Sequence, residues 1–108
     1  MKVFYRRAAS DDVARQFRYY LLTLDFPEIA LRFRDAIRKT ILSLHRQPSI
    51  GPRCVSSNPQ LKNLRSWPAI GFEAQRIYYL LNEDVIYMIR ILHSKRDVKT
   101  ILEGEDAG

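Results

Sequence analysis

The sequence is poor in the residues that make covalent or metal-held scaffolds. Its 108 residues include one cysteine, Cys54, and two histidines far apart, His45 and His93. A single thiol excludes an internal disulfide and fits a reducing cytoplasm. One cysteine with two distant histidines does not make up a structural zinc site, and no metal or cofactor is expected. Long apolar runs are absent too. The longest, Ile77 to Leu81 and Val85 to Ile89, are far shorter than the roughly 20 residues of a bilayer-spanning helix. The opening MKVFYRR puts charge where a signal peptide needs its apolar stretch. There is no glycine-rich phosphate loop, no GxSxG and no HExxH, and no internal repeat. Acid is the scarcer charge, with 12 acidic against 18 basic residues and a formal net charge of +6.

What is present is an ordinary globular composition. Hydrophobic residues are 46% of the chain, enough for one core, and the length suits a single domain over 1–108. Thirteen of the basic residues are arginine, whose donor fork matches phosphate and carboxylate oxygens two at a time. Such a domain suits a polyanionic partner: nucleic acid, an acidic protein segment or, with least support, an anionic membrane surface. The alternative is a solvated basic surface.

Hydrophobic periodicity predicts the elements. Lys2 to Tyr5 reads as a short strand. Ser10 is the expected N-cap of a helix with Asp11 and Asp12 at its positive end. Val13, Phe17, Tyr20, Leu21 and Leu24 make its apolar face. Asp25-Phe-Pro-Glu28 reads as a break and a capping box opening a second helix, with Ile29, Phe33, Ile37, Ile41 and Leu44 on one face. Glu28 with Arg32, and Asp35 with Lys39, are spaced for ion pairs on the other. Residues 48–60 read as a loop. Then the period becomes two: Leu61 to Trp67, Phe72 to Leu81 and Val85 to His93 are expected strands. Ser94 to Leu102 reads as a terminal helical turn, and EGEDAG as a frayed acidic tail. The order is β-α-α-β-β-β, an α+β domain with a two-helix hairpin on one face of a small antiparallel sheet. The other face is then more polar or meets a partner. Alternation puts Phe72, Ala74, Arg76, Tyr78 and Leu80 on one face, and Ile86, Met88, Arg90 and Leu92 on one face. An arginine within each long strand is unexpected in a purely structural sheet.

Ile50-Gly51-Pro52-Arg53 follows the helices, Arg76-Ile77-Tyr78-Tyr79 lies in one strand, and Ile89 to Asp97 reads I-R-I-L-H-x-x-R-D. In these motifs, their order and the basic short chain, the sequence resembles the ParE/RelE superfamily of small bacterial toxins, the toxic halves of type II toxin–antitoxin pairs. The resemblance covers nearly the whole chain. It implies a cognate antitoxin, operator DNA reached only through that antitoxin, and no membrane partner. ParE-like members bind DNA gyrase and trap it on DNA without cleavage chemistry of their own. RelE-like members enter the ribosome and cleave mRNA. The His-x-x-Arg-Asp ending and the long hairpin look more like ParE. No tyrosine follows Tyr87, so a tyrosine found near the C-terminus of many nuclease members has no counterpart.

The ParE-like reading is therefore preferred, with target contacts at Arg90, His93, Lys95 and Arg96 and antitoxin contacts at Tyr19, Leu22 and Arg76. In the RelE-like alternative an RNA 2′-hydroxyl attacks the neighbouring phosphate. Arg76 and Arg96 stabilise its charge and His93 handles a proton. Each residue also has a plainer role. Arg76 and Arg90 pair with carboxylates such as Glu73 or Asp97. His93 ends a strand with a backbone hydrogen bond. Arg96 and Asp97 form a local ion pair, Trp67 is a core or sheet-face aromatic, and Tyr19 and Leu22 are ordinary exposed residues.

Overall fold

A computed structural model describes residues 2–105. Strand β1 (Lys2–Tyr5) leads directly into helix α1 (Arg7–Arg18), which ends in a π-helical turn, Tyr19–Thr23. Helix α2 (Pro27–Arg46) returns, and a 3₁₀ turn (Pro59–Leu61) precedes β2 (Arg65–Ala69), β3 (Phe72–Asn82), β4 (Val85–His93) and α3 (Val98–Glu103). The sheet order is β1-β4-β3-β2. β2, β3 and β4 form the expected antiparallel meander, while β1 runs parallel to β4 and makes the sheet mixed. The intervening chain, helix hairpin included, is the long crossover that a parallel pair needs.

Both helix starts differ from the sequence expectation. Arg6 continues the strand ladder by donating its N–H to the Met88 carbonyl, so α1 begins at Arg7 and Ser10 lies inside it. Asp25 sits in the left-handed region, φ 55°, and Phe26 occupies the cap without a side-chain bond. Pro27 in the first turn has no N–H to satisfy, so a capping box is unnecessary. Among the described residues neither Glu28–Arg32 nor Asp35–Lys39 closes as an ion pair.

Phe33, Ile37 and Ile41 of α2 are buried against Ile77, Tyr79, Ile86, Met88 and Ile91 of the sheet. Phe17 of α1 and Leu21 of the π-helical turn are half-buried. The reverse face is not left polar. Leu61 and Leu64 of the long loop, with Leu102 of α3, cover Tyr78, Ile89 and Leu92 there. The expected first strand of the meander therefore starts late. Leu61 and Leu64 belong to a tight turn, capped by Asn58, that drops both leucines onto the sheet. Asn58 also donates through Nδ2 to the carbonyls of Leu102 and Glu105, tying this loop to α3.

Two irregularities change which side chains share a face. Tyr78 pairs with Arg90 but Tyr79 with Met88, so Ile89 is an extra residue bulged into β4. Ile86 and Met88 face the helices, whereas Arg90 and Leu92 do not, and Ile91 takes up the inward position. A second register shift lies between Pro68 and Ala69 opposite β3. Beyond it, Phe72 packs on the helix side against Phe33 and Tyr20 rather than sharing a face with Tyr78.

The Ile50-Gly51-Pro52-Arg53 stretch has a steric reason for its glycine. Fully buried Tyr79 donates its hydroxyl to the Pro48 carbonyl at 2.7 Å and accepts the Gly51 N–H at 3.1 Å. A Cβ on Gly51 would lie 2.6 Å from both the Ser66 carbonyl oxygen and the Tyr79 hydroxyl. Arg65 clamps the same segment through the Ser49 and Gly51 carbonyls. Gly51→Ala should therefore cost about 1–3 kcal/mol by overpacking against backbone. Urea unfolding at neutral pH measures this, and an unchanged midpoint would contradict the account.

Candidate functional site

The polar centre of the molecule lies where β1 stops. Past Tyr5 the chain turns into α1, and β4 continues without its neighbour. Asp12, on α1, takes the missing place: its Oδ2 accepts the Ile91 N–H at 2.9 Å. The bulge at Ile89 brings Arg90 to the same carboxylate, with Nε on Oδ2 and Nη2 on Oδ1, each at 2.7 Å. Arg90 Nη1 reaches Glu105 Oε2 at 3.1 Å. The Asp12 side chain is 1% exposed and that of Arg90 13%. The hydrogen bonds to Asp12 raise the already high pKa of the guanidinium further, against the opposing effect of burial. Arg15 approaches the same carboxylate at 3.6 Å, but its side chain is 60% exposed and adds little.

This assigns Arg90 to the carboxylate-paired role. The partners differ from Glu73 and Asp97, because the bulge turns the guanidinium toward α1 and the C-terminal segment. Glu105, in the tail expected to fray, is one of those partners; residues 106–108 lie outside the described residues. Asp97 does not pair with Arg96. It caps α3 by accepting the Thr100 N–H.

His93, Lys95 and Arg96 come together in the turn after β4. His93 Nδ1 accepts the Lys95 N–H at 3.0 Å, the backbone bond expected of a strand-end histidine. The neutral ring then carries its proton on Nε2. Lys95 and Arg96 are exposed. Arg76 is elsewhere. It stands opposite Leu92, on the face of Tyr78, and donates to Ser66 Oγ at 2.9 Å. His93 stands opposite Gln75, on the face of Ile77 and Ile91. Arg76 and His93 thus project to opposite faces of the sheet.

Tyr19 and Leu22 are exposed at the tip of the helix hairpin, Leu22 at 71%. They also lie across the sheet from Arg76, so the three residues do not form one patch. Leu24, expected on the buried face of the first helix, is exposed, because the π-helical turn rotates it away from the core. Phe26 and Leu31 extend the apolar surface. The signal was in the sequence: YYLLTLDF holds more apolar residues than one helix face can bury. Trp67 packs against the first core and Cys54 against the second. Among the described residues, no three His, Cys, Asp or Glu side chains are grouped to hold a metal, and no helix is long and apolar enough to cross a membrane.

The chain is thus a mixed four-stranded sheet with a helix hairpin on one face and a basic turn at the end of β4. Residues 3–98 match the family described as ParE toxin of type II toxin-antitoxin system, parDE, and the chain belongs to that family. Its fold is similar to a chain of the solved chromosomal ParDE TA system from P. aeruginosa. The TM-score is 0.66 at 21% identity, over 86% of this chain and 95% of that one. No curated protein sequence matches it.

Breaking the central pair from one side should be costly, since a buried charge would lose its partner. Asp12→Leu is expected to lower stability by about 3–5 kcal/mol. Adding Arg90→Met should restore part of that loss, because both charges then leave together. Chemical denaturation of Asp12→Leu, Arg90→Met and the double variant tests this, and a double variant as unstable as the sum of the single ones would refute the coupling.

Proposed function

We propose that this ParE-family toxin acts by binding DNA gyrase and not by cleaving RNA, and that a cognate antitoxin neutralises it in the cytoplasm. The observation that carries this is the separation of Arg76 from His93 across the sheet. In-line attack on a phosphate needs the charge-stabilising arginine and the proton-handling group around one reacting centre. Here the sheet stands between them, and Arg90 is committed to Asp12 and Glu105. What remains exposed at the end of β4 is a compact basic turn, His93 to Arg96, suited to docking on an acidic surface.

In this reading Lys95 and Arg96 supply the charge that contacts gyrase. His93 lies at the edge of that contact and shapes the turn through its bond to the Lys95 N–H, and Arg90 holds the strand in place rather than touching the target. Tyr19 and Leu22, with the neighbouring Leu24 and Phe26, give the antitoxin an apolar anchor on the hairpin. An antitoxin that also reaches Arg76 wraps around the sheet edge, which suits a segment that folds on binding. Operator DNA is contacted through the antitoxin. The ribosome and its mRNA are the partners of the alternative nuclease reading.

Purified protein should inhibit gyrase supercoiling and leave ribosome-bound mRNA intact. Arg96→Glu should lower gyrase inhibition at least tenfold with an unchanged unfolding midpoint. His93→Gln should cost about 1 kcal/mol of stability through its lost backbone hydrogen bond and keep most of the toxicity. Codon-specific mRNA cleavage in a reconstituted translation reaction, with gyrase unaffected, would overturn the proposal.

A further inference from the structure

Between the middle of α1, the start of β3 and the end of β4 lies a cleft of about 390 Å³, with Arg15, Gln16, Gln75, His93 and Arg96 in its lining. Its floor holds an unusual group. Gln75 is 3% exposed, and its Nε2 has no hydrogen-bond partner. A buried amide donor left unpaired is destabilising, and native structures rarely keep one without a reason. Apart from Gln16, whose amide offers both a donor and an acceptor, the other groups around it that are not already paired are donors. His93 has its Nδ1 occupied by Lys95, which leaves Nε2–H. Arg96 extends from the turn, and Arg15 touches only the outer side of Asp12. Asp12 and Arg90 also line the cleft, but they neutralise each other. The cleft therefore carries two net positive charges and more donors than acceptors.

We infer that this cleft receives an acidic side chain, aspartate or glutamate, of the antitoxin. Its carboxylate pairs with Arg15 and Arg96, and the Gln75 amide, closed to solvent in the free toxin, turns to donate its Nε2–H to it. The inference rests on the antitoxin-neutralised reading above and adds where neutralisation happens: Arg96 belongs to both surfaces, so the seated carboxylate covers the target-binding turn. A carboxylate fits better than a phosphate because the deepest donor is a neutral amide, which recognises an oxygen without supplying charge.

The test uses the full chain and the antitoxin encoded beside its gene. Gln75→Leu removes the unpaired donor, so its unfolding midpoint should equal or exceed the wild-type value, while antitoxin affinity by calorimetry falls at least tenfold. Arg15→Gln should weaken affinity several-fold and flatten its salt dependence. In two-dimensional NMR the Gln75 side-chain amide pair, assigned by its loss in Gln75→Leu, should shift when the antitoxin binds. Wild-type binding with both variants within twofold, and that amide pair unmoved, would overturn the inference and leave the antitoxin reading standing. Absence of wild-type binding at micromolar concentration would overturn both. Millimolar inorganic phosphate shifting the amide pair when the antitoxin does not would make the cleft a phosphate site and also overturn the inference.

Discussion

One carboxylate holds this fold together at its weakest point. A parallel edge strand of four residues cannot cover a nine-residue neighbour, and the uncovered stretch of β4 would expose backbone donors beside a buried core. Asp12 removes that liability. It accepts the Ile91 N–H as a strand would and binds the Arg90 guanidinium with both oxygens. The helix is thereby fixed against the sheet by directed bonds as well as by packing. Arg90 in turn reaches Glu105, so the middle of α1, the middle of β4 and the segment after α3 meet at one cluster of charges. Burying such a pair gains little net energy compared with an apolar filling. Its value is geometric: a charge pair of this kind is satisfied in one arrangement only.

The bulge at Ile89 is what makes that cluster possible. Without the extra residue, Arg90 would share the inward face of Ile86 and Met88 and put a guanidinium into the hydrophobic core. With it, the phase of the strand shifts by one. Ile91 takes the inward position, and Ile89 and Leu92 fill the second core. The same shift puts His93 on the helix side, across from Gln75 and apart from Arg76. One inserted residue therefore decides the packing of the strand end and which basic groups can act together.

Much of this was legible from periodicity. The two helices, the three-stranded meander, the buried residues of α2 and the backbone bond of His93 all follow from patterns a few residues long. What escaped depends on distant partners. Asp12 read as a dipole-stabilising residue at a helix start, because nothing local shows that a strand edge 79 positions away lacks a neighbour. The bulge was invisible because Val85 to His93 alternates acceptably in either phase. Glu105 looked like part of a loose acidic tail. Gln75 drew no attention, since a glutamine in a strand is unremarkable until its donor proves buried and unpaired. Tyr19 and Leu22 were visible as off-face residues, but the π-helical turn that also exposes Leu24 was not.

These constraints also limit where partners bind. Both faces of the sheet are occupied, one by the hairpin and the other by the long loop and α3, so a partner cannot stack on the sheet as a third layer. At the outer edge, β2 is shielded by the loop that bridges Arg53 to Arg65, and Pro68 offers no N–H to an added strand. Two of the remaining surfaces stand out: the hairpin tip, apolar and exposed, and the basic end of β4 with its cleft. They differ in chemistry. Apolar area at the tip supplies affinity that salt barely alters, while the cleft supplies charge recognition that salt weakens. In the proposed reading, a flexible antitoxin segment long enough to touch both is held by the first and covers the target-binding turn through the second.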